Sequence, residues 1–210
     1  MSRTPDATMR SRILDAADRL LVRSGFRRMT VEDIASEAGI GKGSVYLHFE
    51  SKQDVALSCI DRMATRILGL LKSIAARPLP AAARLRAMLC ARVLERFDYA
   101  SRHAHSIDEK LAVMRQAMLE RRAGHFERES AVLDRVVEEG RRSGEFTSAP
   151  RRPGRTLVTA TNALLPYSLS ARELGERAGL ARRTEEVVGL LLAGLEPKSR
   201  PAKPRKRRIP

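Results

Sequence analysis

The chain has 210 residues, with 40 Lys and Arg against 25 Asp and Glu, a formal net charge of +15. Aromatic residues make up only 4% and runs of alternating β-branched residues are missing, which favours an all-helical protein over one built on sheets. Cys59 and Cys90 sit in apolar helical contexts without CxxC or Cys/His spacing, so they read as buried thiols of a reducing cytosol and exclude a disulfide framework.

No apolar run approaches 18 residues and no N-terminal h-region is present, so neither a membrane span nor a signal peptide is expected. The charge is unevenly spread. Residues 197–210 carry seven Lys and Arg and no acid, nearly half of the excess, whereas residues 1–50 hold eight basic and seven acidic side chains. Any nucleic-acid reading of the N-terminal part must therefore rest on where particular groups sit, not on bulk charge.

Residues 1–7 are polar, contain Pro5 and read as a disordered arm. From Thr8 to Ser24, Ile13, Leu14, Ala17, Leu20 and Leu21 recur at helical spacing with arginines on the other faces, and Gly25 closes this helix. Residues 30–49, TVEDIASEAGIGKGSVYLHF, read as two short helices joined by a tight glycine turn. Thr30 is placed to cap the first, with Asp33 reaching back as in a capping box, and Glu32 and Asp33 lie at the positive end of its dipole. Gly39 supplies the positive φ that turns the chain. A second helix starting near Gly41 or Lys42 packs back through Ile40, Val45, Tyr46 and Phe49. This spacing suits a helix-turn-helix that sets one helix into a DNA major groove; a plain helical hairpin is the other reading. Ser51, with Asp54 three residues on, repeats the capping signal and starts a long helix to about Ala76, which residues 77–80 (RPLP) stop.

Helix one, the T-V-E-D-I-A-x-x-A-G-I-G-K-G-S-V-Y-L-H-F stretch and the S-K start of the next helix together resemble the DNA-binding head of the tetracycline-repressor (TetR) family of bacterial regulators. The resemblance covers about residues 8–54. It implies a homodimeric, all-helical repressor whose heads each read half of a palindromic operator, and which a small molecule in the larger domain releases from DNA. It also implies DNA contacts at Thr30, Lys42, Gly43, Ser44, Tyr46, His48 and Lys52. Lys42 departs from the small polar residue common in the family there, so base preference does not carry over.

Beyond residue 80 the pattern gives an amphipathic helix over 81–100 and a polar joint at 101–107 (SRHAHSI). One long helix follows from Asp108 to about Arg142, or two with a break near Gly124, and then a loop over 140–153. The most apolar segment, 154–173, is interrupted at Pro166, and Thr184 is placed to cap a last helix, EVVGLLLAGL. That helix is apolar nearly all round. A homodimer built from it and the preceding segment, through Leu157, Ala160, Leu164, Val187, Val188, Leu191 and Leu195, is the expected way to cover it. A TetR-like pocket would lie among Arg92, Phe97, Tyr99, His103, Met114, Met118, Asn162 and Tyr167, a mixture that suits a largely apolar ligand with one or two polar anchors and equally suits a plain core. His103 and His105, two apart, diverge on a helix and have no third ligand, so no metal and no cofactor is expected.

The expectation is an all-α chain of about nine helices. It comprises an arm at 1–7, a three-helix helix-turn-helix head at 8–50, a larger helical ligand-binding and dimerisation domain at 51–196 and a disordered basic tail at 197–210, which adds non-specific DNA attraction or only solubility. The partners implied are double-stranded DNA, a second copy of the chain and a small-molecule effector, with no membrane and a cytoplasmic site of action. The absence of a nucleophile elbow, phosphate loop, HExxH or paired-carboxylate signature argues against an enzyme. The alternative to a ligand-released repressor is a constitutive DNA-binding or architectural protein whose second domain only dimerises.

Overall fold

A computed structural model describes residues 5–147, 150–165, 173 and 175–197. Among them are eight helices and no strand: α1 (Pro5–Arg28), α2 (Val31–Ala38), α3 (Lys42–Tyr46), α4 (Lys52–Ala75), α5 (Ala81–Arg102), α6 (Ala104–Arg142), α7 (Pro153–Asn162) and α8 (Arg177–Ala193). None of these helices is long and apolar enough to cross a membrane.

Two apolar cores organise the chain. Ile13, Leu14, Leu20, Leu21, Phe26, Ile34, Ala35, Val45 and Phe49 form the first, and the opening turns of α4 (Val55–Cys59) belong to it. The second gathers Ile67, Leu71 and Ile74 of the same helix with Leu85, Met88, Leu89, Leu133, Val137, Leu157, Val188 and Leu192. One continuous helix therefore supplies both cores, and the head does not end sharply at residue 50. Burying this much aliphatic surface is the main stabilising force, at about 25 cal/mol per Å².

Several elements differ from the sequence expectation, each for a local reason. The polar joint at 101–107 shrinks to one residue, His103, whose backbone N–H bonds the carbonyls of Tyr99 (3.2 Å) and Ala100 (3.1 Å) before α6 begins. Helix α6 runs 39 residues straight through Gly124, because a glycine with helical φ weakens a long helix without breaking it. Thr184 does not cap α8: it lies inside the helix, fully buried, with its hydroxyl donating to the Leu180 carbonyl at 2.7 Å. A threonine satisfied by the i−4 carbonyl and one that caps look alike in sequence. Helix α7 ends at Asn162, and Pro166 lies outside the described residues. It crosses α6 closely at Gly154, where a Cβ would fall 2.2 Å from the Ser130 carbonyl oxygen.

Cys59 is buried and Cys90 half-buried, and neither forms a disulfide. Burial, reinforced by its contact with Glu185, pushes the Cys90 thiol up to about 12, so it is inert as a nucleophile.

Glu145, in the loop after α6, caps α5 by accepting the backbone N–H groups of Ala81 (2.9 Å) and Ala82 (3.0 Å). Those bonds hold its carboxyl below the ordinary value of 4.5. The contribution is thus present above about pH 4.5 and lost as pH falls through the lowered folded value, since the unfolded chain binds the proton first. Glu145→Gln is expected to lower stability by about 1 kcal/mol at pH 7, a Tm loss of about 2–4 °C. The gap to wild type should close near pH 3 in thermal melts followed by circular dichroism.

Candidate nucleic-acid interface

The head is set by two interlocking helix ends. Thr30 accepts the Asp33 backbone N–H at 3.1 Å, while its own N–H (3.0 Å) and hydroxyl (2.7 Å) donate to the Asp33 carboxylate, a complete capping box. At the other end Gly39 takes φ 67, and its N–H turns back to the carbonyls of Ala35 and Ser36. Arg12 of α1 reaches across to the Ala38 carbonyl at 2.7 Å, and Glu37 accepts from Arg19 (2.7 Å) and Arg23 (3.2 Å). These contacts fix α2 on α1, and the turn at Gly39 leads the chain into α3.

Helix α3 has one face in the core and one in solvent. Val45 and Phe49 are buried in the head core. Lys42, Gly43 and Tyr46 are exposed, Ser44 and His48 are half-buried, and Leu47 is 84% exposed. Lys42 pairs with Glu32 of α2, a bond that holds the Glu32 carboxyl below its ordinary range and the Lys42 ammonium above its own. Its Nζ also lies 5.9 Å from the centre of the Tyr46 ring. An exposed cation, a phenol and a hydroxyl on one short helix, with an imidazole just beyond its end, can donate to phosphates and to base edges.

Lys52 has an intramolecular task that its sequence position did not suggest. Its ammonium donates to the carbonyls of Phe26 (3.3 Å), Arg27 (3.3 Å) and Met29 (3.0 Å), and lies 4.8 Å from the Phe26 ring centre. It closes the end of α1, where unsatisfied carbonyls favour a cation.

With this geometry in view, similarity to known proteins places the head. Residues 13–59 match the model for "Bacterial regulatory proteins, tetR family". The head is of the tetR type. The matched tetR span ends at Cys59, the last α4 residue in the head core. Curated relatives include the HTH-type transcriptional repressor KstR2 of Rhodococcus jostii, 36% identical over 80 residues, 38% of this chain and 39% of that protein. The HTH-type transcriptional regulator TtgR of Pseudomonas putida is 35% identical over 54 residues, 26% of each chain. An uncharacterised regulator of Bacillus subtilis, YerO, is 38% identical over 65 residues, 31% of this chain and 22% of that one. The chain thus spans 22% to 39% of the length of these relatives. Solved structures share the fold over most of the chain. A transcriptional regulator from Cytophaga hutchinsonii aligns with TM-score 0.74 at 19% identity, over 88% of this chain and 97% of its own. A tetR-family regulator from Mesorhizobium loti gives 0.70 at 18%, over 92% and 100%.

The body of the chain does not gather the described members of the eight sequence-derived pocket residues around one cavity. Arg92 and Asn162 meet, with an Arg92 Nη donating to Asn162 Oδ1 at 3.1 Å. Phe97 is buried in a small cluster with Val93 and Leu180. Tyr99 stacks on His103 at 4.0 Å, and His103 is buried with Nδ1 2.8 Å from the Tyr99 carbonyl and Nε2 3.0 Å from Asp18 of α1. His103 thereby ties the α5–α6 junction to the head. Met114 and Met118 pack into the head core, and Tyr167 lies outside the described residues. A groove of about 570 Å³ between α6 and α7, lined by Glu127, Ser130, Asp134, Arg152, Arg155 and Thr159 among others, contains none of the eight.

The interface residues also divide. Leu157, Val188 and Leu195 are buried in the chain's own core and have no surface to offer a partner, which corrects their placement on a dimer face. Ala160, Leu164, Val187 and Leu191 remain half-exposed, and Leu190 presents 77% of its surface on the outer side of α8. The apolar run at 187–195 does not disclose which side faces inward.

Proposed function

We propose that this chain is a homodimeric transcriptional repressor that acts in the cytoplasm, binds a palindromic operator and leaves it when a small, largely apolar ligand binds the helical body. The observation that carries the DNA part is α3. Val45 and Phe49 lock it into the head while Lys42, Gly43, Ser44 and Tyr46 stand at its solvent face. Thr30, exposed at the start of α2, lies in position to offer a phosphate contact, with His48 beyond α3. Lys52 serves the head as the cation that holds the end of α1.

The name of the KstR2 relative, a repressor, supports the direction of the output. Support for a ligand comes from a fold neighbour, the transcriptional regulator FadR of Bacillus subtilis in complex with stearoyl-CoA, with TM-score 0.61 at 19% identity, over 89% of this chain and 99% of that one. A second reading, a constitutive DNA-binding protein whose body only dimerises, draws on the dispersal of Arg92, Phe97, His103 and Met114 to separate clusters. Dimer formation would use the outer faces of α7 and α8, around Ala160, Leu164, Val187, Leu190 and Leu191.

Selection of bound duplexes from a random library by the full chain tests the first reading. The expected product is an inverted repeat whose half-sites are about 34–36 Å apart or a multiple of that spacing, bound by two chains in sedimentation equilibrium. Enrichment of no sequence, or of a single half-site bound by one chain, would overturn it. A metabolite panel that includes long-chain acyl thioesters, scored for loss of binding to the selected duplex, separates the ligand-released form from the constitutive one.

A further inference from the structure

We propose that Leu47 is a base-reading residue that recognises the C5-methyl group of a thymine in the operator half-site. This rests on α3 being the DNA-reading helix and adds to it an apolar determinant outside the polar set.

Two independent observations point the same way. Leu47 is the most exposed large apolar side chain among the described residues, at 84%, ahead of Leu190 at 77% and Tyr46 at 51%. It stands beside the exposed polar groups of α3, and its backbone N–H bonds the Gly43 carbonyl at 3.2 Å, so Gly43 and Leu47 lie one turn apart on one face. Gly43 is the second observation. Its φ is not positive, and a Cβ added there would meet nothing within 4 Å. Neither a turn nor internal packing therefore requires glycine at this position, although glycine inside a helix costs about 0.5–1 kcal/mol relative to alanine. On the exposed face of α3 this glycine leaves the backbone bare beside Leu47, open to a molecule approaching from outside.

The face so defined is a gap at Gly43 followed, one turn on, by an isobutyl group. Hydrogen-bonding groups of the major groove edges suit Lys42, Ser44 and Tyr46, but not Leu47. The groove offers one apolar group, the thymine methyl, and apolar side chains are its natural partners. Contact with one methyl corresponds to about a 4-fold change in affinity at the usual free energy per buried CH₂.

The test uses the duplex selected by the full chain, with each thymine in turn replaced by deoxyuridine, which deletes only the methyl group. Wild type is expected to lose about 3–10-fold in affinity at one position of each half-site and to be indifferent elsewhere. Leu47→Ala, folded with an unchanged Tm because the side chain is exposed, should bind the unmodified duplex about 3–10-fold more weakly and show less than about a 2-fold penalty for deoxyuridine at that same position. Gly43→Ala should weaken binding while leaving Tm equal or higher, a combination a structural glycine would not give. Deoxyuridine tolerated at every position by wild type overturns the proposal, and so does a full deoxyuridine penalty retained by Leu47→Ala. Enrichment of no duplex by wild type would refute the underlying DNA-binding function, and is seen before any thymine is replaced.

Discussion

Glu129→Leu is expected to destabilise the protein by about 3–5 kcal/mol, a Tm loss of about 6–20 °C for a chain of this size. Glu129 is 1% exposed and lies between two guanidinium groups, accepting from Arg92 Nε at 3.0 Å and from Arg96. Arg92 is as deeply buried, and desolvation, with the nearby Arg96 charge, lowers it to about 10; it is still charged at neutral pH. From that position it also donates to the Val158 carbonyl, the Thr161 hydroxyl and Asn162 Oδ1, so a single side chain of α5 joins α6 to α7. Removing the carboxylate leaves a buried cation without its counter-charge, the costly half of breaking an ion pair. Removing both charges is a different matter. Glu129→Leu with Arg92→Met exchanges the pair for apolar volume, while Arg96, 17% exposed, can turn to water. The double variant should melt within about 1–2 kcal/mol of wild type. Chemical denaturation of the four proteins in the cycle gives the coupling. A single variant as stable as wild type would show that the network adds nothing. If the expected cycle is found, Arg92 is held primarily as a three-helix clamp, and a ligand that used it would have to break that clamp.

That network marks the limit of what the sequence discloses. The head was legible because its determinants are local: Thr30 with Asp33, Gly39 in the left-handed region and Ser51 with Asp54 each act within a few residues, and the core stripe of Ile13, Leu14 and Leu21 repeats at helical spacing. The body was legible as helices but not as a site. Arg92 meets Glu129 and Thr161 across 37 and 69 residues, and Met114 reaches back into the head core, pairings that no periodicity encodes. His103 looked like a pocket residue because a histidine in a polar joint carries no sign of its partner, Asp18, 85 residues earlier. The internal role of Lys52 is hidden for the same reason, since the carbonyls it serves lie at the end of another helix. Thr184 and Val188 were misplaced by a related ambiguity: a buried hydroxyl and an inward valine have the same local sequence as a cap and an outward one.

The second large effect is on DNA, and its signature is that substitutions at the two ends of one ion pair in the head act in opposite directions. Lys42→Ala combined with Tyr46→Ala is expected to weaken binding to the selected duplex by about 100-fold or more, since the side-chain bonds to DNA that it removes are worth about 1–3 kcal/mol in each of the half-sites. Tyr46 is half exposed and Lys42 lies beside its ring, so the pair forms one patch and neither supports the core. Tm should accordingly change little, which distinguishes a damaged DNA-binding surface from a damaged fold. Lys42 alone should contribute through phosphate charge, so Lys42→Ala should reduce the slope of log K against log salt by about one per head. Glu32 opposes this. It pairs with Lys42 at the solvent face, and any phosphate that takes Lys42 must displace its carboxylate. Glu32→Gln removes that competitor together with a negative charge facing the DNA, and should tighten binding by about 2–5-fold at low salt, the range of a surface ion pair. The gain should fade as salt rises, because screening weakens the repulsion it relieves. Fluorescence anisotropy titrations at several salt concentrations measure all three variants. Binding unchanged in the double alanine variant would place the DNA-reading surface elsewhere on the head, whatever Glu32→Gln does.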